Sequence, residues 1–207
     1  MKNIIISVFT LVTLFSTALN GQTTKGKFMS DNAKIGISFS SFGSNSVFRV
    51  NELDGASSYD SKSFYSVGLI YVKGLNSFLE FETGLEYSNH KIMVNPGVYS
   101  GMDMSPRKAG FSLISVPATL RVNFLKYFFI NGGLFLDIGV SSNSPIDSQT
   151  GLGAVFGIAL KYDFDSGIGV FVNPYSKIHS LLPLADWSNH QRVWESGLRF
   201  GVTYKIK

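Results

Sequence analysis

Hydrophobic and polar residues alternate with a period of two along most of the chain beyond residue 33. In the segment 77–89, for example, the apolar residues Leu79 and Phe81 alternate with the acidic residues Glu80 and Glu82. A helical period would scatter these carboxylates around the helix axis, whereas an extended chain collects them on one face. The alternation therefore predicts β-strands.

Eight segments share this alternation. β-Branched and aromatic residues dominate each of them, and turn residues bound each one, as in strands. The segments cover approximately residues 34–42, 63–73, 77–89, 110–124, 127–141, 151–164, 167–178 and 193–206.

The connections between these segments are alternately short and long. The long ones are residues 43–62, 90–109, 142–150 and 179–192. An even number of antiparallel strands with short turns at one end and long loops at the other is the plan of an outer-membrane β-barrel, with both termini at the short-turn end.

A soluble barrel of the lipocalin kind has the same alternation. Alternation alone therefore does not show whether the apolar faces point into the barrel or out of it. The interior of an eight-stranded barrel is just wide enough for side chains to fill it, whereas these apolar faces offer roughly forty bulky groups. We therefore expect the apolar faces to meet lipid. The predicted fold is all-β: an eight-stranded, antiparallel, up-and-down transmembrane β-barrel with a filled polar interior. A periplasmic lipocalin-like binding barrel is the alternative.

The start of the chain has the pattern of an export signal. Lys2 precedes an apolar run over residues 4–15, and smaller and polar residues follow as far as Gly21. A run of about twelve apolar residues is shorter than the roughly 20 that a spanning helix needs. We predict a cleaved signal peptide over residues 1–21, a short extension over 22–33 and a barrel domain over 34–207, located in the bacterial outer membrane.

Composition narrows the chemistry further. Charged residues make up 15% of the 207 residues, against about a quarter in ordinary soluble proteins. The absence of cysteine excludes disulfides, cysteine-based zinc sites and thiol nucleophiles. The formal charge of +4 is not gathered into a basic stripe, so no nucleic-acid partner is expected.

The polar faces carry five acidic and five basic side chains that are expected inside the barrel. Unpaired charge in a narrow interior is costly, so these groups are expected to form a structural network of ion pairs. The alternative is a narrow channel or a small-solute transport or binding barrel that uses the same charges. The predicted lumenal residues are Glu80, Glu82, Glu86, Asp137, Glu195, Arg121, Lys161, Lys177, Arg199 and Lys205.

Catalysis and metal binding are not predicted. Neighbouring residues of a strand point to opposite faces, so His179 and Ser180 should not form a base and nucleophile. His90 also has a nearby serine, Ser88, but we expect no enzyme and no cofactor. His90, His179 and His190 all map to the long-loop end. Because the third and seventh strands are diametrically opposed, His90 should not meet the other two without folding of the loops, and no metal site is expected.

Four stretches carry a resemblance to a known family. They are SVGLIYVKGLNSFLEFETGLEYSNHKI (66–92), ISVPATLRVNF (114–124), FFINGGLFLDIGV (128–140) and GLRFGVTYKIK (197–207). Together they resemble the PorT-like, porin-family outer-membrane β-barrel proteins of Gram-negative bacteria. The match includes Pro117, and a proline inside a closed sheet tends to mark a bulge.

The resemblance implies an outer-membrane barrel with a structural or protein-interaction role. Most of the family has no assigned biochemical activity, and its namesake is needed for type IX protein secretion. The partners expected for such a barrel are outer-membrane lipid, the barrel-assembly machinery and, through the long loops, other secretion or envelope proteins.

Overall fold

The structure is a computed structural model that describes eight strands and parts of the segments between them. The predicted signal peptide, residues 1–21, and the extension as far as residue 32 lie outside the described residues. Among the described residues, no helix is long and apolar enough to cross a membrane. The described residues are 33–49, 58–95, 105–141, 144, 146–184 and 190–206.

The strands form one closed antiparallel barrel in chain order. The last strand pairs with the first, with Ala33 opposite Ile206 at one end and Arg49 opposite Gln191 at the other. The predicted eight-stranded, antiparallel, up-and-down barrel is confirmed. The strands are β1 (Ala33–Arg49), β2 (Ser58–Gly74), β3 (Leu79–Asn95), β4 (Arg107–Phe124), β5 (Phe128–Gly139), β6 (Gly151–Asp163), β7 (Ile168–Pro183) and β8 (Gln191–Ile206).

Several strands continue further toward the long-loop end than the sequence pattern predicts. The prediction ended β1 at residue 42, but a bulge between Ser41 and Ser44 is followed by six further residues paired with β8. Phe42 adopts a positive φ of 57° in this bulge. A bulge changes which residues face inward. The alternation of apolar and polar residues is therefore interrupted at the bulge, although the hydrogen-bonded ladder continues beyond it.

The outer surface of the barrel is apolar. On β2, Val67 and Leu69 are 51% and 64% exposed, whereas the alternate residues Gly68 and Ile70 are buried. At the short-turn end of the barrel, the exposed ring of Tyr127, in the turn before β5, stacks on that of Tyr162 in β6 with centroids 6.0 Å apart. An apolar belt with aromatic rings at its edge is typical of transmembrane barrels.

Two apolar clusters cross the interior, for which the sequence predicts a polar filling. The turn-side cluster lies nearer the short turns, and the loop-side cluster nearer the long loops. Each joins side chains from opposite walls of the barrel. The turn-side cluster is Ile70, Val72, Phe129, Ala159 and Phe171. The loop-side cluster is Ile92, Val94, Phe111, Leu113, Ile146 and Val193.

Pro117 interrupts a ladder without shifting its register. Thr83 pairs with Ala118 and Glu86 pairs with Ser115, so the offset between β3 and β4 is the same on both sides of the proline. The expected bulge at Pro117 is therefore not formed. On the other side, Pro117 pairs with Phe135 of β5. A missing N–H donor costs a ladder bond but requires no extra residue.

Candidate functional site

The charged side chains of the interior form two groups between and beside the apolar clusters. The strand pleat explains their placement, because inward positions recur every second residue. Glu82, Glu86 and His90 thus share the inner face of β3, and Lys177 and His179 that of β7.

The first group is an ion triad beside the turn-side cluster. Glu82 accepts a hydrogen bond from Arg121 Nε at one oxygen and from Arg199 Nη2, at 2.6 Å, at the other. The Arg121 guanidinium also lies over the Phe129 and Phe171 rings, 4.7 Å and 4.9 Å from their centroids. The carboxylate and the two rings together offset the free-energy cost of burying the guanidinium.

The second group, which we call the central polar layer, lies between the triad and the loop-side cluster. Lys177 donates to Glu86 and lies 3.8 Å from Glu195 Oε1. Tyr175 donates its hydroxyl proton to the same Glu195 oxygen at 2.5 Å. Burial in an interior of low polarity makes these pairs strong and makes the loss of any one partner costly.

Asp137 and two histidines complete the central polar layer. Ser115 donates to Asp137 Oδ1 at 2.5 Å, and His179 Nδ1 lies 2.7 Å from Asp137 Oδ2. The Nε2 atoms of His179 and His90 each lie 3.4 Å from Glu195 Oε2. The layer therefore connects β3, β4, β5, β7 and β8 through side chains.

The meeting of His90 and His179 contradicts the sequence-based expectation that these residues are kept apart. Their ring centroids are 5.4 Å apart at 78°. The strands that carry them are opposed, but the interior is narrow enough for both imidazoles to reach its middle. His90 is fixed there between Phe64 and Phe111, with ring centroids 5.9 Å and 4.7 Å away.

A second expectation, that His179 and Ser180 point to opposite faces, is also wrong. Both side chains are buried, because Ser180 has a φ of 50° and so breaks the alternation of β7. Ser180 Oγ lies 2.9 Å from His190 Nε2. Ser180 is fully buried and His190 is 5% exposed, which withholds this pair from a substrate in solution.

The remaining predicted charges lie at the short-turn mouth of the barrel. Glu80, Lys161 and Lys205 line an open vestibule of about 580 Å³. Lys34 Nζ lies 2.8 Å from Asp163 Oδ1, and Lys161 Nζ lies 3.7 Å from Asp163 Oδ2. The ten predicted lumenal residues thus divide between the triad, the central polar layer and this vestibule.

The histidines and Tyr175 belong to the network but were not among its predicted members. The sequence pattern contained this information. His90 lies an even number of residues from Glu82 and Glu86 and so falls on the same face of its strand, and the same holds for His179 and Lys177.

Between the two charged groups, the described residues leave a void of about 20 Å³, which has room for about one water molecule.

No protein-family model and no curated protein sequence matches the chain. Among solved structures, it is similar to the outer membrane protein AlkL, determined by solid-state NMR in DMPC lipid bilayers. The two chains are 12% identical over 90% of this chain and 95% of AlkL, with a TM-score of 0.53. This likeness shows the outer-membrane β-barrel fold.

Two further solved structures are similar over most of their length. The outer membrane protein OprG from Pseudomonas aeruginosa is 15% identical over 86% of this chain and 97% of its own, with a TM-score of 0.48. Ail, the attachment invasion locus protein of Yersinia pestis, is 14% identical over 85% of this chain and 100% of its own, with a TM-score of 0.43.

The triad yields a stability prediction. Glu82→Gln should destabilise the barrel by about 3–5 kcal/mol, because it leaves two buried guanidinium groups without their carboxylate. The control Asp163→Asn removes a half-exposed carboxylate from the vestibule and should cost about 1 kcal/mol or less. Urea unfolding of the purified chain in detergent, followed by tryptophan fluorescence, measures both. Equal costs would show that the buried triad contributes no more than the exposed pair.

Proposed function

We propose that this chain is an integral outer-membrane protein whose barrel is a filled anchor and whose long loops contact other envelope proteins. The observation that carries the proposal is the combination of an apolar outer belt with apolar clusters that join opposite walls across the interior. The first feature suits a lipid environment and the second opposes solute passage. Export through the signal peptide predicted over residues 1–21 accords with this location.

The outer belt supports the membrane location through its energetics. Side chains such as Ile37, Leu69, Leu134 and Leu160 are each about half exposed or more. In water, a continuous apolar surface of this kind leads to association, whereas in a bilayer it is satisfied by acyl chains. A periplasmic lipocalin-like barrel would place its large apolar side chains inside instead.

Leu69→Arg tests the membrane location. It should destabilise the barrel in lipid vesicles by about 2–4 kcal/mol, because it places a charge against the hydrocarbon. The matched control is Leu125→Arg, at a residue 79% exposed in the turn between β4 and β5, where the same change should cost about 0–1 kcal/mol. Urea titration of vesicle-bound protein, scored by heat-modifiable gel migration, gives both values. Equal effects of the two changes, or recovery of the chain as a soluble periplasmic protein, would contradict the proposal.

The filled interior yields a prediction about transport. Purified chain in planar bilayers should give no conductance steps above those of protein-free bilayers, because side chains from opposite walls meet in both apolar clusters. A porin inserted by the same procedure is the positive control. Reproducible steps from the unmodified chain would favour the alternative function, a narrow channel or small-solute barrel that uses the lumenal charges.

We further propose a role linked to type IX protein secretion, which rests on the resemblance to PorT-like proteins. Deletion of the gene should deplete secreted cargo at the cell surface, and re-expression of the full chain should restore it. Comparison of the secreted proteins of the parent, deletion and complemented strains measures the effect. An unchanged set of secreted proteins in the deletion strain would remove the secretion role while leaving the barrel assignment intact.

A further inference from the structure

Three potential metal ligands converge inside the central polar layer. They are His90, His179 and Glu195, whose side chains are at most 1% exposed. One ligand atom from each lies within 4.8 Å of the others. The three residues come from β3, β7 and β8, so they meet because the barrel closes and not because they are close in sequence.

Two of these ligand atoms lack a hydrogen bond. His179 Nε2 and Glu195 Oε2 are buried and have no hydrogen-bond partner, although they lie only 3.4 Å apart. A buried polar atom without a partner destabilises the folded state. A cation bound beside both atoms would satisfy them together.

Two of the three spacings between the ligand atoms match those of a tetrahedral zinc ion. Zinc–nitrogen and zinc–oxygen bonds of about 2.0–2.2 Å place tetrahedral ligands about 3.3–3.5 Å from one another. Glu195 Oε2 lies 3.4 Å from His90 Nε2 and 3.4 Å from His179 Nε2. His90 Nε2 also lies 3.1 Å from Ser88 Oγ, so a bound ion would replace this contact with the serine hydroxyl.

Neighbouring side chains orient the ligands in the way that metal sites require. Asp137 Oδ2 lies 2.7 Å from His179 Nδ1. A proton on Nδ1 leaves the lone pair of Nε2 for a metal ion. Ser115 donates to the other oxygen of Asp137 and holds that carboxylate in place. Tyr175 and Lys177 occupy the Oε1 side of Glu195, so Oε2 is left for a metal.

The central polar layer carries an excess of negative charge. With both imidazoles neutral, the carboxylates of Glu86, Asp137 and Glu195 face the ammonium of Lys177. The neighbouring triad, with two arginines on one carboxylate, returns one positive charge. The remaining excess of one negative charge attracts a cation to the layer.

We propose that His90, His179 and Glu195 bind one Zn²⁺ inside the barrel, with a fourth position open to water. Two imidazoles and a carboxylate suit zinc, whereas Mg²⁺ and Ca²⁺ prefer oxygen ligands alone. The ion would link three strands across the interior. Because apolar clusters lie on both sides of the site, the metal is expected to enter as the barrel closes during folding. This inference requires only the barrel and is independent of the secretion role.

The test is metal uptake during refolding. The chain is refolded from urea into detergent with EDTA, with Mg²⁺ or with Zn²⁺, then desalted and analysed for metal by mass spectrometry. We expect one zinc per folded chain and no retained magnesium. Heat-modifiable gel migration confirms folding in each arm. Absence of retained zinc in the folded wild-type chain would overturn the proposal and favour a protonated His179 in its place.

Variants locate the ion. His90→Gln and Glu195→Gln should abolish zinc retention, and Asp137→Asn should lower zinc affinity by about 10–100-fold, the usual effect of losing a residue that orients a ligand. The matched control His190→Gln changes the remaining histidine of the chain and should retain wild-type zinc. Loss of zinc from His190→Gln alone, with retention in the other three, would overturn the assignment.

A measurement on the wild-type chain covers the case in which the variants do not fold. X-ray absorption at the zinc edge of the loaded chain should show scattering from two imidazoles and a light-atom ligand. A spectrum with oxygen ligands alone would place the metal elsewhere and refute the site.

Discussion

The narrowness of a closed eight-stranded barrel is the constraint on which the rest of this structure depends. Inward side chains meet partners from neighbouring and from opposite strands, so their size and their charge must both be matched there. Phe171 shows the steric side of this rule, since a Cβ added at Gly201 of the adjacent strand would lie 2.2 Å from its ring. Glu82 shows the electrostatic side, because it accepts hydrogen bonds from arginines on two different strands.

The apolar clusters and the charged groups depend on each other. The turn-side and loop-side clusters lie on either side of the central polar layer, and their low polarity strengthens each correct ion pair and penalises each incomplete one. The arginines in turn use aromatic surface, since Arg199 and Arg121 both lie over the Phe171 ring. The interior is therefore better described as alternating layers than as a uniform polar filling.

The sequence predicted those features that depend on local periodicity, and it failed where several strands act together. Alternation of the kind seen around Leu79 and Glu80 identifies a strand and its two faces, and this was enough for the strand number and barrel closure. The contact between His90 and His179 depends on the barrel radius, which no single strand encodes. Ser180 and Phe42 were misjudged for a different reason, because a positive φ at a non-glycine residue leaves no clear mark in a hydrophobic pattern.

The same network gives the barrel a means of fixing its register. A slip of one residue along β3 would turn Glu82 and Glu86 toward the outer surface and Phe81 and Leu85 toward the interior. Apolar packing alone opposes such a slip weakly here, because both faces of the wall carry apolar side chains. Charged groups oppose it strongly, since a carboxylate turned to the outer belt loses its arginine or lysine and gains no partner. Ion pairs between strands far apart in sequence, such as Glu86 with Lys177, therefore specify the one arrangement in which the barrel closes.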